Sequence, residues 1–255
     1  MTVRLAKRIG MDKILEMASN FKISDGLDDK LSMSLGSGVV TLKELTNAYA
    51  IIANGGKKIE PKLITSIYSK NGKKIYDTRL KKCNECKVNL FDDEIQIPDL
   101  HEDKKNIIDP RLAYQITSMM EGVIQRGTAR KLKELNVPIA GKTGTTNQNK
   151  DAWFIGYTPD LVIGVYVGYD QPKSLGFKQT GSSVAVPIFK KFATKIKINK
   201  NKKPFRIPYG ISFVRIDPSS GMISNKEGSI SEPFILGSEP YLGNINIIDG
   251  LENFN

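Results

Sequence analysis

Pro138-Ile-Ala-Gly-Lys-Thr-Gly-Thr-Thr146 begins a run of three apolar segments that decides the fold of this chain. The second segment covers residues 151–158 and the third covers residues 161–169, so each has the length of a β-strand. Thr158-Pro159-Asp160 supplies turn-forming residues between the second and third segments. Because the segments follow one another so closely, they predict three antiparallel strands joined as a meander.

Two helices are predicted well before these strands. Residues 2–20 carry apolar residues at helical spacing, with a break expected near Gly10. Thr41-Leu-Lys-Glu44 forms a capping box, in which the threonine and glutamate side chains satisfy free N–H groups at a helix start. Gly55 and Gly56 are expected to end this second helix, because glycine adopts the left-handed conformation at little cost.

Two further helices are predicted on either side of the strand segments. Asp109-Pro110 begins the first, since proline is favoured at the first helical position, and Gly127 is expected to end it. Its predicted buried stripe consists of Leu112, Ile116, Met119, Met120 and Val123. The second covers about residues 183–197. Its predicted inward face carries Val184, Ile188 and Phe192.

The rest of the chain contains a hairpin, an insertion and a tail. Residues 63–69 and 73–77 are predicted to form the hairpin around Asn71-Gly72, the pair that two-residue type I′ turns prefer. Residues 79–105 are polar and charged, and we interpret them as an exposed insertion. The tail, residues 199–255, is rich in Gly, Pro, Ser and Asn, with short strand-like pieces such as 211–216.

Two cysteines, Cys83 and Cys86, lie in a Cys-x-x-Cys arrangement. This spacing fits half a zinc site, a redox pair or a short disulfide. Zinc requires four ligands and the single histidine, His101, lies in a polar stretch, while a redox motif requires a thioredoxin-like context that the sequence lacks. A small disulfide formed in an oxidising compartment is the favoured interpretation. We predict no metal site and no cofactor.

The chain is basic, with a net charge of +11 and a pI of 9.4. Its lysines are densest between Lys190 and Lys203, and we interpret them as solvated surface, with nucleic-acid binding as the weaker alternative. No apolar run reaches the roughly 18 residues that a membrane span needs. Residues 1–10 lack the apolar core of a signal peptide. If the protein acts outside the cytoplasm, we expect a segment not contained in this chain to take it there.

Gly141-Lys-Thr-Gly-Thr-Thr146 is the stretch that indicates chemistry. Taken alone, Lys-Thr-Gly is a common tripeptide, and a strand end with a surface lysine would explain it equally well. The context is more specific, because the motif is followed by Asp151-Ala-Trp-Phe-Ile-Gly-Tyr-Thr-Pro-Asp160 and Val165-Tyr-Val-Gly-Tyr-Asp170. Together these residues closely resemble the transpeptidase domain of bifunctional, class A penicillin-binding proteins.

The resemblance covers nearly the whole chain, except for the insertion at 79–105 and about the last dozen residues. Further similar stretches are Met1-Thr-Val-Arg-Leu-Ala6, Leu31-Ser-Met-Ser-Leu-Gly36, Asn47-Ala-Tyr-Ala50 with Ala53-Asn-Gly-Gly56, Gly122-Val-Ile-Gln-Arg-Gly-Thr128 and Leu236-Gly-Ser-Glu-Pro240. The resemblance implies the penicillin-recognising fold of the α/β (α+β) class. In that fold an antiparallel sheet is flanked by helices and lies beside an all-helical lobe.

The site of this family rests on Ser-x-x-Lys, Ser-x-Asn and Lys-Thr-Gly. Ser19-Asn-Phe-Lys22 and Ser69-Lys-Asn71 fit the first two patterns. They fall at a predicted helix end and in a predicted hairpin turn, so we interpret neither as catalytic. In the family, Ser-x-Asn immediately precedes the residues that resemble residues 1–6. We therefore place the start of this chain just after the second motif, and we expect it to contain no catalytic nucleophile.

For the third motif, the resemblance implies a substrate-binding role for Lys142, Thr143, Gly144 and Thr145. Lys142 would attract a substrate carboxylate, and the hydroxyls of Thr143 and Thr145 would donate to it. Gly144 would let a peptide backbone approach closely. The Thr145 N–H resembles one of the two oxyanion donors of the family, and an acyl donor could pair with this strand edge.

The resemblance assigns residues 1–198 to the C-terminal part of a transpeptidase domain and residues 199–255 to a C-terminal extension. With the N-terminal part of the domain missing, strand edges and apolar surface would be exposed. We therefore expect poor solubility or dependence on that part. The family is periplasmic and anchored to the inner membrane. The implied partners, once the missing half completes the site, are peptidoglycan stem peptides and β-lactams.

Three hypotheses for function follow. The first is a part of a D,D-transpeptidase that cross-links the cell wall by acyl transfer, inactive alone. The second is a non-functional remnant of a split gene. The third is a basic nucleic-acid-binding module, which would bind with a steep salt dependence.

Overall fold

The computed structural model describes residues 1–23, 27–78, 105–200 and 202–240. Its α-helices, in chain order, are α1 (Thr2–Ile9), α2 (Met11–Asn20), α3 (Leu42–Ala53), α4 (Pro110–Gln125) and α5 (Val186–Lys195). Its strands are β1 (Ser66–Tyr68), β2 (Lys74–Asp77), β3 (Ala140–Thr145), β4 (Ala152–Tyr157), β5 (Val162–Val167), β6 (Ile211–Ile216) and β7 (Ile230–Ile235). Short helical turns lie at Leu31–Leu35, Arg130–Leu135, Asn147–Asn149, Gly181–Ala185 and Ile198–Lys200.

Strands β3, β4 and β5 form the predicted antiparallel meander, in that order across the sheet. Ala140 pairs with Tyr157 at one end of the β3–β4 ladder, and Thr145 pairs with Ala152 at the other. Ala152 also pairs with Val167 of β5. The predicted segments are one or two residues too long at each end. The residues at their ends belong to the turns that connect the strands, and the sequence pattern does not mark the point where pairing stops.

One face of this sheet packs against α5. Phe154 of β4 and Phe189 of α5 are fully buried, and their rings meet edge to face with centroids 4.9 Å apart. Such a pair adds to the free energy gained from burial, because the positive ring edge points at the negative ring face. Other members of this core are Ile124, Ala129, Leu132, Leu135, Ile139, Ala185, Val186 and Ala193.

The opposite face carries a polar pair inside an aromatic cluster. The Tyr157 hydroxyl lies 3.0 Å from the Thr117 hydroxyl of α4, and the Tyr157 ring contacts those of Tyr49 and Phe205 edge to face. Burial raises the pKa of Tyr157 and raises that of the Glu121 carboxyl to about 7. Both groups are therefore favoured in their neutral forms at this position.

The predicted buried stripe of α4 is wrong in part. Leu112, Ile116 and Met119 are exposed, whereas Met120 is buried and Val123 is half-buried. The residues that α4 buries are Ala113, Thr117, Met120, Gly122 and Ile124. The helix has two apolar faces, and the face that carries Ala113, Met120 and Ile124 is the buried one because α4 packs on β3 along that face.

The prediction for α5 fails in the same way. Ile188 and Phe192, which were expected to face inward, are exposed, and Val184 is half-buried. The buried residues of this helix are Val186, Phe189 and Ala193. The helix also begins later than predicted, at Val186, after a π-helical turn that covers Gly181–Ala185.

The predicted helix boundaries are otherwise confirmed. Gly10 separates α1 from α2 with a positive φ of 94°. The side chain of Thr41 accepts a hydrogen bond from the Glu44 N–H, and the Glu44 carboxylate accepts one from the Thr41 N–H, so the capping box is complete. Helix α4 ends at Gln125, two residues before Gly127.

Strands β1 and β2 form the predicted hairpin, but its connection differs from the prediction. Ser69 donates its N–H to the Lys73 carbonyl at 2.7 Å, so three residues lie between this pair. Gly72 has a φ of 76°, and its N–H bonds to the Ser69 carbonyl. This is the three-residue loop that ends on a left-handed glycine, and not a two-residue turn.

The tail contains a hairpin of which only β6 was predicted. Strands β6 and β7 pair from Ile211↔Ile235 to Ile216↔Ile230. This hairpin packs on α4, where Gln115 donates a hydrogen bond to the Pro233 carbonyl at 3.0 Å. Strand β7 contains Pro233, and a proline inside a run of residues argues against a strand when only the sequence is read. This strand was therefore not predicted.

The predicted insertion at 79–105 lies almost entirely outside the described residues, as do Cys83, Cys86 and His101. The disulfide therefore stays a prediction. Among the residues that the structure describes, no helix is both long and apolar enough to cross a bilayer.

Candidate functional site

The Lys-Thr-Gly motif occupies β3, at one edge of the three-stranded sheet. Within the described residues, β3 pairs with β4 along one side only. The Thr146 N–H bonds to the Asp151 carbonyl at 3.2 Å, on the β4 side. Because backbone groups alternate in direction along an antiparallel strand, the N–H and C=O of Thr143 and Thr145 point to the outer edge. An extended ligand could pair with those groups.

Lys142 places a positive charge beside this edge. Its side chain is exposed, and its Nζ donates a hydrogen bond to the Thr143 carbonyl at 2.8 Å. Among the described residues, no carboxylate forms an ion pair with Lys142. Its charge is therefore available to an anionic group that approaches β3.

Thr143 lies on the opposite face of the strand, where its hydroxyl meets that of a second threonine. The Thr143 Oγ1 lies 2.8 Å from the Thr128 Oγ1. Thr128 follows α4 in the chain, and its carbonyl accepts a hydrogen bond of 2.6 Å from the Ser182 hydroxyl. Thr143 is therefore connected to two segments outside the sheet.

Thr145 is connected to the turn that precedes α5. Its Oγ1 accepts a hydrogen bond of 3.0 Å from the Gly181 N–H, which leaves the Thr145 hydroxyl proton free to be donated elsewhere. Gly144 lies against the same turn, because the nearest atoms to a Cβ built on Gly181 include the Gly144 carbonyl oxygen. The four predicted site residues thus lie on one strand, Lys142 on one face and the two threonine hydroxyls on the other.

Aromatic and acidic side chains of the neighbouring strands lie beside the C-terminal end of β3. The rings of Trp153 and Tyr166 are 4.6 Å apart between centroids, and the Tyr166 hydroxyl donates to the Asp151 carboxylate at 2.9 Å. This hydrogen bond raises the pKa of Tyr166. Asp151 in turn accepts a hydrogen bond from the Thr146 hydroxyl, so the β3–β4 connection is fixed from both strands.

The two further motif matches lie away from β3. Ser19 and Lys22 line a cleft beside α3 with Lys43, Glu44, Asn47, Glu60 and Pro61, none of which belongs to β3. The Ser69 hydroxyl accepts the Lys73 N–H inside the β1–β2 loop. Their positions at a helix end and in a hairpin loop are as predicted.

Thr128, Gly181 and Ser182 were not among the predicted site residues. Thr128 lay within a stretch that resembles the family, but nothing in the sequence pairs it with Ser182, which is 54 positions away. The described residues hold no cluster of three or more His, Cys, Asp or Glu side chains that could bind a metal ion.

A family model described as the penicillin binding protein transpeptidase domain matches residues 1–194. Penicillin-binding protein 1A of Rickettsia felis is 41% identical over 253 residues, which are 99% of this chain and 32% of the relative. Penicillin-binding protein 1A of Neisseria meningitidis is 35% identical over 237 residues, covering 91% of this chain and 27% of the relative. The chain thus spans about a third or less of the length of these curated relatives.

Solved structures share the fold. Penicillin-binding protein 1A from Haemophilus influenzae aligns with a TM-score of 0.80 and 28% identity, over 96% of this chain and 39% of that one. The ceftriaxone acyl-enzyme of penicillin-binding protein A from M. tuberculosis aligns with a TM-score of 0.54 and 23% identity, which shows the fold alone. The predicted penicillin-recognising fold is confirmed. The chain therefore belongs to the penicillin-binding protein transpeptidase domain family and is similar to its 1A members.

Proposed function

We propose that this chain supplies the Lys-Thr-Gly wall of a peptidoglycan D,D-transpeptidase and acts only with residues that carry the Ser-x-x-Lys and Ser-x-Asn motifs. The observation that carries this proposal is the outer edge of β3. There, among the described residues, a lysine without a carboxylate partner lies beside two threonine hydroxyls and the outward backbone groups of the same strand. Family membership and the penicillin-recognising fold support it.

The reaction is acyl transfer in two steps. A serine hydroxyl outside this chain attacks the carbonyl of the D-Ala-D-Ala bond, the C–N bond breaks, and D-alanine leaves with the proton. The amine of a neighbouring stem peptide then attacks the ester, forms the new amide and restores the serine hydroxyl. A β-lactam mimics the donor, but its opened ring stays attached to the serine.

The residues of β3 would bind and orient the acyl donor. Lys142 attracts the donor carboxylate, and the Thr143 and Thr145 hydroxyls donate hydrogen bonds to it. The outward Thr145 N–H stabilises the oxyanion that develops on the attacked carbonyl. The donor backbone pairs with β3 as an added strand, and the absence of a side chain at Gly144 lets it come close.

Exposed apolar faces on two helices support assembly with a further part of the domain. On α4 these residues are Leu112, Ile116 and Met119, and on α5 they are Ile188, Phe192 and Ile196. Each set repeats at intervals of three or four residues, so each forms a continuous stripe. Within the described residues, the outer edge of β5 is also unpaired. Apolar stripes and open edges of this kind mark surfaces that another segment covers.

The test uses two chains and a fluorescent penicillin read by intact mass. The second chain is the transpeptidase segment that precedes the matched region in the R. felis relative. We expect no adduct on either chain alone, and an adduct on the second chain when both are mixed. Lys142→Ala should reduce labelling at least tenfold, about the loss of one charge-assisted hydrogen bond. Lys70→Ala, in the exposed β1–β2 loop, should not.

Two outcomes would contradict this proposal. An adduct on the present chain would identify a nucleophile within it, with Ser19 as the first candidate. Soluble, stably mixed chains that never form an adduct would instead favour a remnant without catalytic function.

A further inference from the structure

Thr128 is held in place from two directions. Its carbonyl accepts the Ser182 hydroxyl at 2.6 Å, and the next residue, Ala129, is fully buried with its N–H bonded to the Val123 carbonyl at 3.2 Å. Ser182 belongs to the π-helical turn before α5. The Thr128 hydroxyl is therefore presented to β3 by backbone anchored to α4 and to that turn.

The Thr128 and Thr143 hydroxyls have two hydrogen-bond arrangements. Each hydroxyl carries one proton and can accept from others, so at 2.8 Å either oxygen can be the donor. If Thr143 donates to Thr128, it has no proton left for a ligand. If Thr128 donates to Thr143, the Thr143 proton is free to point at the outer edge of β3.

A bound carboxylate selects the second arrangement. An ionised carboxylate only accepts hydrogen bonds, so Thr143 must donate its proton to it. The Thr143 oxygen then needs a donor of its own, and Thr128 is the donor 2.8 Å away. Donation into the Thr143 oxygen also polarises its O–H bond, which strengthens the hydrogen bond to the carboxylate.

We propose that Thr128 is a positioning residue, which donates its hydroxyl proton to Thr143 and so directs the Thr143 proton to the carboxylate of the acyl donor. This inference rests on the proposed function of β3. Thr128 lies outside the Lys-Thr-Gly strand and acts on the substrate only through Thr143. Thr128 therefore contributes to discrimination between ligands with and without a free carboxylate.

The decisive variants are Thr128→Val, which keeps the shape and removes the hydroxyl, and Thr128→Ser, which keeps the hydroxyl. In the two-chain complex, acylation is measured with a carboxylate-bearing β-lactam and with its methyl ester. Thr128→Val should lower acylation by the acid about tenfold, the value of one hydrogen bond to a charged group. This loss should appear as weaker apparent binding of the acid before acylation. The ester should be little affected, and Thr128→Ser should restore the rate with the acid.

The matched control is Thr194→Val, which removes a hydroxyl that bonds to the Lys190 carbonyl on α5. This control should leave acylation by the acid and by the ester unchanged. Equal losses with acid and ester in Thr128→Val would show a general structural role and overturn the proposal.

A second readout does not depend on activity. In the full chain, with no second chain present, Thr128→Val should shift the NMR resonance of the Thr143 methyl group, while Thr128→Ser and Thr194→Val should not. An unmoved Thr143 resonance in Thr128→Val would refute the contact and with it the inference. If the unmodified complex forms no adduct although this shift is seen, the function proposed for β3 fails and so does the substrate role of Thr128, while the threonine contact stands.

Discussion

Gly181 lies so close to Gly144 that a Cβ built on Gly181 would come within 2.6 Å of the Gly144 carbonyl oxygen. It would also meet the Trp153 carbonyl oxygen on β4. These neighbours are backbone atoms of a paired sheet, so they cannot move aside as a flexible side chain could. The turn before α5 therefore packs against the Lys-Thr-Gly strand without any side chain between them.

We predict that Gly181→Ala displaces this turn and weakens the site. The added methyl group would break the hydrogen bond from Gly181 to the Thr145 hydroxyl. Overpacking of this kind costs about 1–3 kcal/mol of folding stability. Urea denaturation of the full chain and penicillin labelling of the two-chain complex measure the two effects. Lys70→Ala, in the exposed β1–β2 loop, serves as the control. An unchanged midpoint with unchanged labelling in Gly181→Ala would refute the prediction.

Removal of the phenylalanine ring should have a large effect on stability at one position of α5 and almost none at another. Phe189 is fully buried against Phe154, and Phe192 is 49% exposed. Phe189→Ala should destabilise the full chain by about 3–5 kcal/mol, because it leaves a cavity in the core. Phe192→Ala should change the stability by less than about 0.5 kcal/mol.

The same pair tests the assembly surface. Phe192→Ala should weaken association with the second chain, as measured by titration and labelling, because Phe192 lies in the exposed apolar stripe of α5. An assembly constant unchanged by Phe192→Ala would show that this stripe is not covered by the second chain.

Glu121 should make the stability of the chain depend on pH. Its pKa is raised from 4.5 to about 7 by burial, so between these values the folded chain keeps a proton that the unfolded chain has released. The contribution of Glu121 to stability is then fully present below pH 4.5 and is lost as the pH rises through this interval. Across this interval the free energy of unfolding should fall by about 1–2 kcal/mol, a value reduced to allow for solvent access to the half-buried carboxyl.

Glu121→Gln should remove this dependence, because an amide has no proton to lose. Unfolding midpoints at pH 5 and pH 8 measure the effect. The difference between them should be smaller in the variant, which should be the more stable chain at pH 8. Equal pH dependence in both chains would mean that Glu121 titrates normally.

Features that depend on residues close together in the sequence were predicted correctly. The buried faces of α4 and α5 were not, because each helix has two apolar faces. The capping box at Thr41 depends on residues three positions apart, and the meander depends on strands joined by short turns, so both are visible in the sequence. On α4 and α5, apolar residues occupy both the buried and the exposed face. Periodicity alone gives no reason to prefer one face over the other, because the choice depends on which face contacts the rest of the fold.

The same limit applies to the site. Lys142, Thr143, Gly144 and Thr145 are consecutive and were found by their motif and its context. Thr128 and Ser182 reach the strand only through the packing of α4 and of the turn before α5. The hydroxyl contact between Thr128 and Thr143 spans 15 positions and follows no periodic pattern that a sequence could display.

The tail should be part of the folded core even though the boundary after residue 198 stays a prediction. Phe205 is buried, and its ring centroid lies 5.6 Å from that of Tyr157 on β4. Arg126 of the α4 end forms an ion pair with Glu232 of β7. These contacts link the tail to α4 and β4, the two elements that pack against β3.

We therefore predict that Phe205→Ala destabilises the full chain by about 3 kcal/mol, in the range for aromatic residues removed from a core. Tyr209→Ala is the matched control, because Tyr209 lies four positions along the tail and is 98% exposed, and it should leave the unfolding midpoint unchanged. Since Tyr157 pairs with Ala140 at the start of β3, the loss of Phe205 should also loosen that end of the strand and speed amide hydrogen exchange there. A midpoint equal to that of Tyr209→Ala would show that the tail is a separate extension, and the boundary after residue 198 would then be a real domain limit.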